Sequence, residues 1–149
     1  MQEPAPRVAS LLDFCGKTVV VTGASAGIGA GIARRFSEAG ANVVINYRSD
    51  RAGAGALAQS LGGNALAFHA DITDQASVDG LMQAGINHFG RLDALINNAA
   101  LQDHGALMEL PGETFENDER RAAVTRAGFF AGRPSRCRES HSNCRVETE

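Results

Sequence analysis

Lys17-Thr18-Val19-Val20-Val21-Thr22-Gly23-Ala24-Ser25-Ala26-Gly27-Ile28-Gly29 decides the reading of this chain. A short β-branched run ends in a glycine-rich turn, and apolar residues at helical spacing begin inside that turn. A continuous run of Val and Thr suits a strand buried on both faces of a parallel sheet. The turn then aims backbone N–H groups and the positive end of a helix at one spot, where a phosphate can sit.

Working outward, Ile28, Ile32, Ala33, Phe36 and Ala39 fall at helical spacing, and Gly40 stops that helix. Asn42 to Tyr47 predicts a second buried strand, and Ser49 a cap for the next helix, which carries Ala54, Leu57, Ala58 and Leu61. Gly53 and Gly55 weaken that helix by about 1 kcal/mol each relative to Ala. Gly62-Gly63 ends it, and Ala65 to Ala70 supplies a third strand. Asp71-Ile72-Thr73-Asp74 reads as a strand-to-helix turn with its cap at Thr73 or Asp74. A third helix follows on Val78, Leu81, Met82, Ile86 and Phe89, then Gly90 and a fourth strand from Leu92 to Ile96. Strand and helix alternate through residue 100, which implies an α/β fold with a parallel sheet, right-handed crossovers and helices on both faces.

The bulk numbers agree with one domain. The chain has 149 residues, 44% of them hydrophobic, and a net charge of −3, which gives no polyanion-binding surface and so no nucleic-acid partner. No apolar run approaches the length of a bilayer span, so no membrane partner is expected. Residues 1–10 read as a flexible leader without the apolar segment of a signal peptide, which makes the cytoplasm the expected compartment. Cys137, Cys144 and His141 lack a fourth ligand at sensible spacing, and no metal is assigned. From Asn117 the composition changes: seven of thirteen arginines lie between Arg120 and Arg145, and past Phe130 only Val146 is aliphatic. Residues 117–149 therefore read as an aberrant or disordered tail, because so little apolar surface cannot offset the entropy of ordering.

The Thr22-Gly23-x-x-x-Gly27-x-Gly29 spacing resembles the glycine motif of the short-chain dehydrogenase/reductase family. Asp71-Ile72 is similar to the family's adenine-contacting position, and Asn97-Asn98-Ala99-Ala100 to its Asn-Asn-Ala-Gly after the fourth strand. The resemblance covers roughly residues 11–116, the cofactor-binding half of a typical member, and is similar to 3-oxoacyl-reductase-like and glucose-dehydrogenase-like members. It implies an incomplete Rossmann-like three-layer fold with about four parallel strands in the order 3-2-1-4. Gly23, Ser25, Gly27, Ile28 and Gly29 would then cradle the pyrophosphate and adjoining ribose. Asp71 and Ile72 would hold the adenine, Asn97 and Ala99 would line the nicotinamide ribose, and Asn98 would tie down the fourth strand. Each also has a plain structural alternative: Ser25 as a turn residue, Asp71 as a helix-end charge, the asparagines as strand-end caps.

The end of the second strand bears on the choice of dinucleotide. An acidic residue there binds the ribose 2′-hydroxyl and repels a 2′-phosphate. Tyr47 and Arg48 stand there instead, and a guanidinium can bind a phosphate through paired hydrogen bonds. The expected cofactor is NADP, ahead of NAD.

Members of the family reduce a carbonyl, or oxidise an alcohol, with a Ser and a Tyr-x-x-x-Lys pair. The only tyrosine here is Tyr47 and the only lysine Lys17, so these residues hold no such pair and no catalytic residue is assigned. Val124-Thr125-Arg126-Ala127-Gly128-Phe129-Phe130 faintly resembles the segment bearing the family's assisting Asn, with Thr125 at that position; Thr125 is given no role. The expectation is an oxidoreductase by resemblance, truncated before its catalytic groups, with a tail from a shifted frame or damaged gene end. The fourth strand would be left as an open edge and the family's usual oligomer interface would be missing. The other readings are a non-catalytic dinucleotide-binding module and a non-functional truncated product.

Overall fold

The computed structural model describes residues 13–99 and 123–129. The leader at 1–10, Ala100 and the remainder of the 117–149 tail lie outside the described residues. Four strands, β1 (Thr18–Val21), β2 (Asn42–Tyr47), β3 (Ala65–His69) and β4 (Ala94–Ile96), form one sheet in the order β3-β2-β1-β4. Every pairing is parallel, with Val21 opposite Ile45 on one side and Ile96 on the other. The helices between them are α1 (Gly27–Glu38), α2 (Arg51–Leu61) and α3 (Gln75–Phe89); a short 3-10 turn, Gly62–Asn64, follows α2. A further helical segment, α4, covers 123–129.

Strand periodicity divides the core into two halves. Val19, Val21, Val43 and Ile45 face one way and pack with Ala33 of α1 and with Ala54 and Leu57 of α2. Val20 and Val44 face the other way, against Val78, Leu81 and Met82 of α3 and Phe129 of α4. A strand whose neighbours at i and i+1 are both buried reads as the continuous apolar run seen at Val19-Val20-Val21. The expected three-layer arrangement is therefore the observed one.

Two local details differ from expectation. The cap of α2 is Asp50 and not Ser49: its carboxylate accepts from the Gly53 amide at 2.9 Å. Asp74 caps α3 by accepting from the Ser77 amide at 2.8 Å. The second difference lies in the stretch expected to be irregular. Residues 123–129 are helical, with Thr125 and Phe129 buried, because Val124 and Phe129 find the apolar surface of α3 to cover. Gly128 brings the two helices together, since a Cβ there would lie 2.6 Å from Val78 Cγ1.

At the lower end of the sheet, Asp93 joins β1 to the approach of β4. Its Oδ2 accepts from the Thr18 amide at 2.8 Å while its own amide donates to the Thr18 carbonyl. This leaves the upper, C-terminal ends of the strands to build a site. The strand order reverses between β1 and β4, which is where open α/β sheets form their ligand crevice.

Candidate functional site

Beyond Val21 the backbone turns sharply at Gly23, whose φ is +61°. A side chain there would also strike Ala99, whose Cβ would stand 2.8 Å away. Gly29 is fixed by contact and not by φ: a Cβ would lie 2.5 Å from Asn98 Nδ2 and 2.6 Å from the Gly23 carbonyl oxygen. Gly27 is the opposite case, with a φ of +58° and nothing within 4 Å. Its backbone faces open space at the first residue of α1.

That helix end is built differently from the other two. Asp50 and Asp74 cap α2 and α3, but Ala26 has no side chain to cap α1, and no acidic residue lies in its first turn. The first N–H groups of a helix have no partner within it, and together they carry about half a positive charge. The α1 end is therefore left to an anion from outside. Ile28 stands beside it with 79% of its surface exposed, although it is a large apolar side chain.

A cleft of about 670 Å³ opens over this end, within the size range of small-molecule and cofactor sites. The turn from Gly23 to Gly29 forms its floor, Asn46 to Asp50 one wall, Ala70 to Ile72 the next, and Asn98 and Ala99 the side toward β4. Of the residues singled out in the sequence, Gly23, Ser25, Gly27, Ile28, Gly29, Arg48, Asp71, Ile72, Asn98 and Ala99 all line it. Asn97 does not. It follows β4 just below, and its Oδ1 accepts from Thr125 Oγ1 at 2.5 Å.

Hydrogen bonds hold the walls in place. Asn98 Nδ2 donates to the Thr22 and Gly23 carbonyls at 3.0 and 3.1 Å. Thr22 Oγ1 accepts from the amides of Asn98 and Ala99 at 3.0 and 3.1 Å. The end of β4 is thereby stitched to the glycine turn from both directions. Asp71 Oδ1 is taken up by Thr73, through its amide at 2.9 Å and its hydroxyl at 2.7 Å, which shapes the turn after β3. Arg48 is exposed at the rim, one residue beyond β2.

Two residues escape a reading by motif, and a third, Thr125, is noticed by motif but given no role. Asn46 is buried in β2 and borders the cleft; an amide at the end of an otherwise aliphatic strand was the available signal. Asp50 caps α2 at the rim, beside the more conspicuous Ser49. Thr125 is reached only through the tertiary fold, since nothing in its local sequence points to Asn97.

An open parallel sheet with a glycine turn, an uncapped helix end and a crevice at the switch of strand order defines a nucleotide-binding α/β architecture. Comparison with known proteins narrows this. Residues 17–119 match the short chain dehydrogenase family, and the chain belongs to it. It is 42% identical over 123 residues to 3beta-hydroxysteroid dehydrogenase 1 of Eggerthella lenta, covering 80% of this chain and 46% of that one. Among solved structures it is similar to a blue fluorescent protein from a metagenomic library in complex with NADPH, with a TM-score of 0.70 and 33% identity over 82% of this chain and 53% of that one. It is also similar to the 3-ketoacyl-(acyl-carrier-protein) reductase of Brucella melitensis complexed with NADH, with a TM-score of 0.67 and 35% identity over 79% and 48%. The chain thus spans about half the length of the relatives it matches. A nicotinamide dinucleotide is the cofactor these neighbours share.

The residues present fit such a group. Gly27 leaves backbone open where a phosphate would press, the α1 end lacks a side-chain cap, and the cleft runs from there to the turn at Asp71-Ile72.

Proposed function

We propose that this chain binds NADP, in preference to NAD, in the cleft at the C-terminal ends of β1, β2 and β3. The observation that carries the reading is the pairing of the uncapped α1 end with Arg48 at the β2 rim, where NAD-selective sites place a carboxylate. The amides opening α1 hold the pyrophosphate, with Gly27 and Gly29 giving it room, and Ser25 donates its hydroxyl from the turn. Ile28, an exposed apolar side chain beside the turn, covers the adjoining ribose. Arg48 pairs with the 2′-phosphate, and Asp71 and Ile72 bound the adenine. Asn98 and Ala99 shape the nicotinamide end, where Asn97 is held by Thr125.

When bound, the cofactor supplies a hydride to, or accepts one from, a carbon bearing oxygen. These 149 residues supply no tyrosine or lysine near its nicotinamide end, because Tyr47 and Lys17 belong to the β2 and β1 regions. By itself the chain is a dinucleotide holder; an oxidoreductase cycle by the family's route needs groups from outside these residues. Arg48→Asp tests the cofactor assignment. It should lower the NADP-to-NAD affinity ratio by at least tenfold, and an unchanged ratio would refute the role given to Arg48.

A further inference from the structure

We infer that Asn46 is a positioning residue that ties the phosphate turn to the adenine wall, so that the two hold their spacing as one unit. The inference rests on the dinucleotide reading above. Asn46 lies on the same face of β2 as Val44, but at the end of the strand where the apolar core gives way to the cleft. Its side chain is 2% exposed. A buried amide away from water is tolerable only with its donors and acceptor engaged.

Asn46 engages both. Its Oδ1 accepts from the Gly23 amide at 3.2 Å, at the residue that opens the phosphate turn. Its Nδ2 donates to the Ala70 carbonyl at 3.0 Å, at the residue before Asp71 and Ile72, and to the Tyr47 carbonyl at 3.4 Å. The partners leave one orientation for the amide, since an N–H needs the oxygen and two carbonyls need the NH₂. The main chain reinforces the same junction: the Ala24 amide donates to the Asn46 carbonyl at 2.9 Å, and the Ala70 amide to the Tyr47 carbonyl at 3.0 Å. One side chain therefore bridges loops that belong to β1 and β3, across the strand between them. Those loops are the ones assigned to opposite ends of the adenosine diphosphate moiety. Val or Ile at this position would suit the strand and leave the two loops joined only through main-chain bonds to β2.

Two substitutions separate the halves of the tie. Asn46→Leu keeps the branching of the side chain at Cγ and removes both bonds. Asn46→Asp keeps the acceptor for Gly23 and places a carboxylate oxygen against the Ala70 carbonyl, opposing that contact. Amide-resolved hydrogen exchange without added dinucleotide reads the Gly23 half of the tie directly and the Ala70 half through the loosening of its loop, and NADP titration reads its consequence. In Asn46→Leu the Gly23 amide, which loses its acceptor, should exchange about tenfold faster or more, the scale of one lost hydrogen bond, and the Ala70 amide, which keeps its bond to the Tyr47 carbonyl, should quicken as its loop loosens, while Val20 and Val44 stay protected. In Asn46→Asp only Ala70 should quicken. NADP should bind about tenfold more weakly to the Leu variant, with the Asp variant between it and wild type. Unchanged exchange at Gly23 and Ala70, or NADP affinity within twofold of wild type in both variants, overturns the inference. If the Leu variant loses protection at Val20 and Val44 as well, the Asp variant decides by the same criteria. Wild-type chain that shows the exchange pattern in its variants but binds no NADP refutes the proposed function, and with it the role of the tie in binding.

Discussion

The glycines of the first turn show how far residue identity alone can be read. That Gly23, Gly27 and Gly29 matter follows from their spacing after a β-branched run. That they matter for three different reasons does not, because the Ala99 and Asn98 side chains that exclude a Cβ arrive from the end of β4, distant in sequence. Gly29→Ala should destabilise the fold by about 2 kcal/mol or more, since Asn98 and a main-chain carbonyl would both have to yield. Gly31, one turn into the exposed side of α1, has nothing within 4 Å of its missing side chain, and Gly31→Ala should stabilise by about 0.5–1 kcal/mol. Urea melts of the two variants check the contrast; equal effects would mean that the packing at Gly29 is wrongly described. The roles of Thr125 and Asn46 were illegible at this scale for a related reason. Each is an ordinary residue type in an ordinary element, and its significance lies in partners from other elements.

Elements were legible wherever local propensity and tertiary packing agreed. Asn42–Tyr47 is aliphatic, buried and bounded by turn residues, and it forms the strand expected of it. Helix starts were harder, because Ser49 and Asp50 are both good caps and only backbone geometry selects between them. Asp50→Ala and Asp74→Ala should each cost about 1 kcal/mol, whereas Ser49→Ala should stay within about 0.5 kcal/mol, measured by thermal denaturation. Gly53 and Gly55 looked equally unfavourable in α2. The structure separates them: Gly53 sits where a Cβ would meet the Ser25 carbonyl at 2.9 Å, while Gly55 faces open space. Gly55→Ala should therefore raise the melting temperature by a few degrees, and Gly53→Ala should not. Composition failed at α4, where two apolar side chains in seven residues suffice because α3 already offers a surface for them. Gly128→Ala, which brings a methyl against Val78, should loosen that helix and release Thr125 from Asn97.

For the whole molecule, strand order and cleft follow from one topological fact. The chain lays β1, β2 and β3 side by side, then crosses back to place β4 on the other side of β1, so the crevice opens where the phosphate turn already stands. This is why the fold class could be inferred from alternating elements while its chemistry could not: alternation builds the walls of the cleft, and these residues hold no Tyr-x-x-x-Lys pair. On this proposal the isolated chain should oxidise no NADPH above background with any of a panel of aldehydes and ketones, even at NADPH concentrations that shift its melting temperature. The most direct test of the central claim is thermal unfolding of the wild-type chain with and without millimolar NADP. A ligand held only by the folded state, at a hundred times its Kd, adds about 2.7 kcal/mol, so the melting temperature should rise by several degrees, and by less with NAD. An unchanged melting temperature with either dinucleotide would contradict the account.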